Sequence, residues 1–541
     1  MRIAIAYDKG CLRRWHVWLA DALRQNHDVV LTGINRATPY PAGITLLQSL
    51  ERTLYQRSGE CASDICNDDR FTGTAIDEKI ASDQFDLAID LSSGMSAAPQ
   101  GLRVIAPLYN GIADEVAATD ALLSRDLVDL AIHDSARGSY IWHGRSAAED
   151  RNVFSKSLDN VFCRAGSLLS RAVDQPPVVS SDAKRYKDTV KQFAKSGSEL
   201  SFLVTSVSMK AYRLLNKLCR GGHEWSVAWR KTHGHAIADQ PAGTGLTFQR
   251  HPNNPGSYFA DPFVFARDGR QYLFVEEYLY ASNRGVISVI TIGEDGKLSP
   301  SRMVLERPYH LSYPFVFEHN GEICMIPETG DARRVELYRA ERFPDRWSLH
   351  SILIDNIAAY DVTLCEHDGR LWLFMTTGQW QSSSWDTLEI FHAAKLEGPW
   401  TPMSQNPVLI DPSGTRPAGC MFQHSGALWR PAQDSSVIYG GSLSLCRIDE
   451  LSPDRFRQST ISHLVPVPAS SISGVHTLNS AQGFEVVDVF GTPSLKPADL
   501  RIQSAVTTYR KHSVGAWQNQ PPHGYPEAAR APLTLIKILQ F

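Results

Sequence analysis

The chain opens with short apolar runs set between longer amphipathic ones. Arg2 to Tyr7 reads as a strand, Leu12 to Arg24 as an amphipathic helix and His27 to Gly33 as a second strand, the start of an α/β unit. Phe85 to Leu91, Leu102 to Leu108 and Leu127 to Ile132 are further apolar runs flanked by Asp, Ser, Gly or Pro, the pattern of strands buried in a parallel sheet. The expectation is a three-layer α/β sandwich over residues 1–175. Gly144 to Ala172 reads as mostly helical, and Asp174-Gln175-Pro176-Pro177 ends it, because proline cannot continue a helix and restricts its predecessor.

Residues 176–244 read as a basic helical linker. Between Lys184 and Lys231 there are 11 Lys and Arg against three acids, about +8 locally. Leu200, Phe202, Leu203, Val207, Tyr212, Leu214, Leu215 and Leu218 recur at helical spacings, so amphipathic helices with basic flanks are expected. Such helices either pack between domains or make peripheral contact with an anionic membrane through residues 184–231.

From about residue 245 the pattern shortens and repeats. Asp261-Pro262-Phe263-Val264-Phe265 runs to a turn at Gly269 and on to Glu276; Tyr313-Pro314-Phe315-Val316-Phe317 runs to Gly321 and Glu328; Asp361-Val362-Thr363-Leu364 runs to Gly369. Weaker copies turn at Gly426 and Gly483, so the turn glycines stand 52, 48, 57 and 57 residues apart. A strand, an Asp-Gly or Asn-Gly type turn and a second strand form a hairpin, and hairpins returning at this period predict a five-bladed β-propeller over 245–500. Residues 501–541 are then a C-terminal extension.

Composition narrows the partners. With 541 residues, 43% hydrophobic, 21% charged and net charge −4, the chain is an ordinary globular one with no global attraction to nucleic acid. No apolar run is long enough to span a bilayer, and nine Cys without a CxxC pair argue against a disulfide framework or structural zinc; a cytoplasmic location is expected. No G-x-G-x-x-G follows the first strand and no phosphate-binding P-loop occurs. His233-Gly234-His235 is too little for a metal site, and no metal or other cofactor is expected. Asp8, Asn110, Asp114 and His133 are candidates for a second site in the N-terminal domain.

In a propeller, equivalent ends of the innermost strands meet at one mouth. The repeat therefore brings together Asp261, Tyr313, Asp361, Arg416 to Ala418 and Val475-His476. Paired carboxylates serve glycosyl chemistry as base and tuner, although Asp261 before a proline is also a strand-entry cap. Glu276, Glu277, Glu328 and Gln433-Asp434 follow the second strand of their units and form a second layer. His310, Arg416, Arg430 and His476 stand at strand entrances; arginine offers a planar fork for phosphate or carboxylate, and equally an ion pair between blades. Cys324, Cys365 and Cys420 sit in apolar strands and read as core.

Phe259-Ala260-Asp261-Pro262-Phe263, His310 to Glu318, Ile326-Pro327-Glu328 and Asp361 to Leu364 resemble the β-propeller domain on the N-terminal side of plant glucosamine inositolphosphorylceramide transferases and, more remotely, five-bladed glycoside hydrolase family 43. The resemblance covers about residues 245 to 495. In the plant proteins it implies that transferase activity belongs to a separate C-terminal domain. Family 43 implies Asp261 as base, Asp361 as tuner and a later Glu as acid; here Thr415-Arg416-Pro417-Ala418-Gly419 stands where that Glu is expected. An arginine there suits a phosphate-bearing leaving group. The N-terminal region is similar to a degenerate formyltransferase-type domain.

The reading is of a carbohydrate-active protein transferring sugar from a phosphate-activated donor, such as a nucleotide sugar, to a glycan or glycolipid acceptor. Asp261, Asp361 and Glu328 are its catalytic candidates, and Glu276, His310, Tyr313, Arg416, Arg430, Gln433 and His476 its substrate-binding ones. A family-43-like hydrolase, a non-catalytic glycan-binding propeller and a formyltransferase-related sugar-modifying enzyme are the alternatives.

Overall fold

The computed structural model describes the chain apart from residues 35–39, 58, 67–83, 94–100, 175–198, 221–222, 233–236, 238–244, 294–296, 468–470, 493–498 and 507–541. His233, His235 and the basic residues 184–195 lie outside the described residues, as does the end of the C-terminal extension.

Six strands form the first sheet: β1 (Arg2–Asp8), β2 (Asp28–Ile34), β3 (Leu87–Asp90), β4 (Arg103–Tyr109), β5 (Asp129–Asp134) and β6 (Ser139–Arg145), in the order β2-β1-β3-β4-β5-β6. The first four in that order are parallel, and β5 and β6 join antiparallel. The continuous apolar run of β1 is buried from Ile3 to Tyr7, as a central parallel strand requires. Among the described residues four helices accompany the sheet: α1 (Arg14–Leu23), α2 (Ala42–Leu54), α3 (Glu115–Leu123) and α4 (Phe154–Asp174). α4 packs against the other three and against β4 and β5. It starts at Phe154 rather than near Gly144, because Gly144 and Arg145 belong to β6 and Glu51 caps the helix, accepting from the Phe154 and Ser155 amides at 3.0 and 2.7 Å. α5 (Glu199–Arg220) follows.

The rest of the described chain is mostly β. β7 (Glu224–Lys231) and β8 (Gly245–Arg250) precede the repeats. Three antiparallel meanders come next: β9 (Ser257–Arg267), β10 (Arg270–Leu279), β11 (Arg284–Ile292) and β12 (Arg302–Leu305); β13 (Ser312–His319), β14 (Glu322–Glu328), β15 (Arg334–Arg342) and β16 (Arg346–Asp355); β17 (Ala359–His367), β18 (Arg370–Thr377), β19 (Thr387–Ala393) and β20 (Thr401–Pro402), with β21 (Leu409–Ile410) on β19. β22 (Phe422–His424), β23 (Ala427–Asp434), β24 (Ser442–Ser452), β25 (Arg455–Pro466), β26 (Ile472–Ala481), β27 (Phe484–Gly491) and β28 (Asp499–Val506) join β7 and β8 in a nine-stranded sheet ordered β22-β23-β24-β25-β28-β8-β7-β27-β26.

All five turn glycines sit in hairpins. The turn pairs Asp268-Gly269, Asn320-Gly321, Asp368-Gly369, Ser425-Gly426 and Gln482-Gly483 all have positive φ at both residues, the type I′ geometry whose twist matches the strands it joins. β7 lies before the first repeat yet pairs with β27 of the last, Trp229 opposite Val486, and Arg230 and Glu485 meet in an ion pair. The inner strands β9, β13 and β17 lie side by side, and β26 contacts both β9 and β23, so the curled sheets face one another around their inner edges.

The N-terminal unit rests on the third meander. Arg145 grips Asp411 at 2.7 Å, Arg171 reaches Glu389 at 2.6 Å and Arg164 reaches Asp386 at 2.7 Å, the last pair almost wholly buried. At Gly144 a side chain would strike the Ile410 carbonyl, so the two backbones meet closely there.

Candidate active site

The site is made by a defect repeated in the inner strands. In four hairpins two residues of the inner strand face one of its partner: Asp261-Pro262 opposite Val275, Tyr313-Pro314 opposite Pro327, Asp361-Val362 opposite Met375 and His476-Thr477 opposite Asp488. Such bulges break the ladder and re-aim a side chain. Asp261, Tyr313 and Asp361 each adopt positive φ, between 45° and 51°, a conformation costly for residues with a Cβ. Proline as the second bulge residue has no N–H to leave unpaired, which explains the Asp-Pro and Tyr-Pro pairs.

Each freed amide is met by a carboxylate. Asp488 accepts from the amides of Asp261 at 2.9 Å, His476 at 3.1 Å and Thr477 at 2.8 Å; Asp261 accepts from Tyr313 N–H and Glu328 from Asp361 N–H, both at 3.2 Å. The Gly419 amide donates to the Tyr313 hydroxyl at 2.6 Å. The bulges are thus tied into a ring, and the acids that tie them are the acids at its centre.

Asp261 and Asp361 occupy two halves of this centre. His476 lies between two aspartates, Nε2 3.2 Å from Asp261 and Nδ1 2.7 Å from Asp488. Burial works to lower the imidazole's pKa, but the two carboxylates outweigh it and hold it up at about 10. Burial raises the Asp261 pKa, and His476, Thr477 and Arg416 overcome it, leaving Asp261 below its ordinary value and ionised. On the other side Arg416 donates through Nε to Asp361 at 2.5 Å and through Nη1 to Ser384 at 2.9 Å, with Nη2 3.5 Å from Glu328; Gln433 donates to Asp361 at 2.8 Å. Burial, and then the neighbouring acids Asp361 and Asp261, push Glu328 well above the usual carboxylate range; Glu276 is pushed up by burial and by Asp261 and Glu328. One buried cluster therefore holds an aspartate biased toward its charged form beside two glutamates biased toward their protonated forms.

Half-buried rings stand around these buried charges. Trp225 lies 4.1 Å from the His476 ring, Tyr439 5.4 Å from His476 and 5.4 Å from Trp385, and the Arg416 guanidinium lies over Tyr360 and Tyr439 at 5.7 and 5.3 Å. Flat rings beside hydrogen-bonding groups suit a sugar's apolar face and hydroxyls. Asp261, His476 and Asp488 also present ligand atoms within 4.8 Å of one another, and a cation there would have to displace the proton that His476 holds between the two carboxylates.

Glu276 lies 3.4 Å from His310, whose Nδ1 accepts from Gly285 N–H, beside the stacked Tyr258 and Tyr278. Arg430 stands apart: it is fully buried and donates to the Gly414 and Thr415 carbonyls and to Gln458, holding the chain that carries Arg416. Glu277 binds Ser257, Ser288 and Asn254 within its own sheet, and Asp434 binds Ser436. Asp488, Ser384, Trp225, Tyr360, Trp385 and Tyr439 were not anticipated. Asp488 had a signal, an acid inside the apolar run Val486 to Phe490; the others lie off the repeat's aligned positions.

The N-terminal candidates do not form a single constellation. Asp114 caps α3 through Val116 N–H, Asn110 bridges Ala117 and Asp129, His133 packs on Tyr140, and Asp8 accepts from Ser93. The buried charges of this unit include Arg13, paired with Glu115, and the adjoining His16.

Known proteins share this β-rich part. Residues 229–482 match the family glucosamine inositolphosphorylceramide transferase 1, N-terminal. Glucosamine inositolphosphorylceramide transferase 1 of Oryza sativa subsp. japonica is 34% identical over 208 residues, 38% of this chain and 28% of that protein. Its counterpart in Arabidopsis thaliana is 31% identical over 235 residues, 42% of this chain and 30% of that one. The chain thus spans less than a third of the length of these curated relatives. Among solved structures, a GH43_1 enzyme from Xanthomonas citri is 14% identical with a TM-score of 0.34, covering 47% of this chain and 89% of that one. Bacteroides ovatus GH43B is 12% identical with a TM-score of 0.30, covering 38% and 43%.

Proposed function

We propose that the chain is a carbohydrate-active protein that takes part in glycosyl transfer, from a phosphate-activated sugar such as a nucleotide sugar to a glycolipid or surface-polysaccharide acceptor bound at the ring of bulges. The observation that carries this reading is the gathering, in one buried cluster, of Asp261, held below its ordinary pKa, with Glu276 and Glu328, held above theirs. Asp261 is then biased toward the role of base for an acceptor hydroxyl, and a glutamate toward that of acid for a leaving group. The names of the curated relatives support a transferase and a glycolipid acceptor. In this scheme Asp261 takes the proton, Asp361 orients the reacting groups, and a donor phosphate shares Arg416 with Asp361. His310, Tyr313, Gln433 and His476 position the substrate or the acids.

The same reading takes the nine-stranded sheet as two blades, β22 to β25 and β26-β27-β7-β8, joined by β28, which makes five blades with the three meanders. It takes residues 1–175 as a formyltransferase-like α/β sandwich and the location as cytoplasmic, with peripheral membrane contact. Glu328, held above the usual carboxylate range, favours one second reading, a family-43-like hydrolase in which Glu328 protonates the leaving group.

A binding and turnover screen against nucleotide sugars, free glycans and aryl glycosides separates these. Asp261→Asn should abolish turnover with an unchanged circular dichroism spectrum; unchanged turnover overturns the assignment of the base. Nucleotide-sugar binding weakened in Arg416→Lys supports transfer, release of free sugar from an aryl glycoside supports hydrolysis, and glycan binding indifferent to both variants leaves a recognition module.

A further inference from the structure

α5 is anchored by one face and bare on another. Phe202 packs edge-on against Phe154, Ser206 bonds the Tyr55 hydroxyl at 2.6 Å, Lys210 reaches the Leu54 carbonyl over the Tyr55 ring, and Arg213 binds Asp150 at 2.7 Å. The helix is therefore fixed to the N-terminal unit. Leu200, Val204, Val207, Leu214 and Leu215 remain between 43 and 70% exposed. With Ala211, the spacing of Leu200, Val204, Val207 and Leu214 alternates between four and three residues along the helix, which draws one continuous apolar stripe with Leu215 beside it. Single exposed apolar residues need no explanation, but an aligned row of five does.

The stripe has the spacing of a coiled-coil seam, so a second copy is one possible cover. The residues beside the seam decide against it. At that spacing the flanks are Leu203 and Lys210 on one side and Ser201, Ser208 and Leu215 on the other, with no acid to pair with lysine from another copy. The surrounding sequence, 184–231, carries 11 basic residues against three acids in a chain whose net charge is −4. Among the described residues no helix is long and apolar enough to cross a membrane. An apolar stripe that lies flat, with Lys210 beside it and a local basic excess in the sequence, is the chemistry of a helix resting in the interface of an anionic bilayer.

We infer that α5 docks the protein on an anionic membrane surface, with Leu200, Val204, Val207, Leu214 and Leu215 entering the headgroup layer. This goes beyond the sugar chemistry proposed above and stands whether or not that chemistry holds. It would place the protein at the surface where a glycolipid acceptor lies.

The test is sedimentation of the full chain with vesicles of phosphatidylcholine alone and of phosphatidylcholine mixed with phosphatidylserine. Binding should require phosphatidylserine and weaken as salt screens the charges. Leu200→Glu, Val207→Glu and Leu214→Glu combined should weaken it about a hundredfold or more, since three apolar side chains would no longer leave water. The three positions are exposed, so the melting temperature and dichroism should be unchanged. Failure of the wild-type chain to sediment, equal binding to both vesicles, or binding indifferent to the triple substitution overturns the inference. Self-association abolished by the same substitutions, with no vesicle binding, reassigns the stripe to a second copy.

Discussion

The acids at the centre of the ring hold its backbone as well as offering chemistry. Asp488 caps three amides and holds His476, and neither duty is visible in its neighbours Val487 and Val489. Its partner sets the pH response. His476 has a folded pKa of about 10, above the ordinary 6.5, so the stability it contributes is whole below about pH 6.5 and is lost as pH rises toward 10. Glu276 and Glu328, held above their usual range, lose protons in the same direction and add to the loss. Thermal midpoints should therefore fall between pH 7 and 10. His476→Gln should flatten that fall and, by leaving Asp261 and Asp488 buried without their cation, lower stability by about 3–5 kcal/mol in chemical denaturation at pH 7.

At the scale of elements, local sequence wrote the hairpins, because each turn pair accepts positive φ and the strands on either side carry apolar runs. The bulges were only half legible. The repeat aligned Asp261, Tyr313 and Asp361 as the first residues of their units, but their left-handed backbones depend on carboxylates from other strands. The fourth entrance is built differently. Gly419 has φ of +130°, and a Cβ there would lie 2.0 Å from the Leu478 carbonyl. Gly419→Ala should therefore push β26 away and cost on the order of 2–4 kcal/mol, measured as a shift in the urea midpoint, with weakened sugar binding as its companion.

The whole molecule joins its two parts beside the site. Asp386 is fully buried, receives Arg164 at 2.7 Å on one oxygen and the Ala147 amide at 2.8 Å on the other, and Arg164 also binds the Ser383 carbonyl. The next residues face the ring: Ser384 accepts from Arg416, and Trp385 packs on Tyr439 and accepts Thr415 through its carbonyl. The N-terminal unit thus holds the segment that completes the rim. Arg164→Met should strand a buried carboxylate, cost about 3–5 kcal/mol and alter Trp385 fluorescence; a change in stability with unaltered fluorescence would confine the pair to a structural role.

By itself the sequence determined the local geometry: the strand and helix periods, the type I′ turns, the period near 50 residues and, through that period, the equivalence of Asp261, Tyr313 and Asp361. These follow from side-chain spacing and backbone preference within a few residues. Tertiary structure decided what depends on residues far apart in the chain. It paired β7 with β27, made Asp488 the keystone of the ring, turned Arg430 toward backbone carbonyls and Arg416 toward Asp361, and brought Arg164 to Asp386. Protonation belongs with these, because Glu276, Glu328 and His476 take their shifted pKa values from burial and from charges that only folding brings within reach.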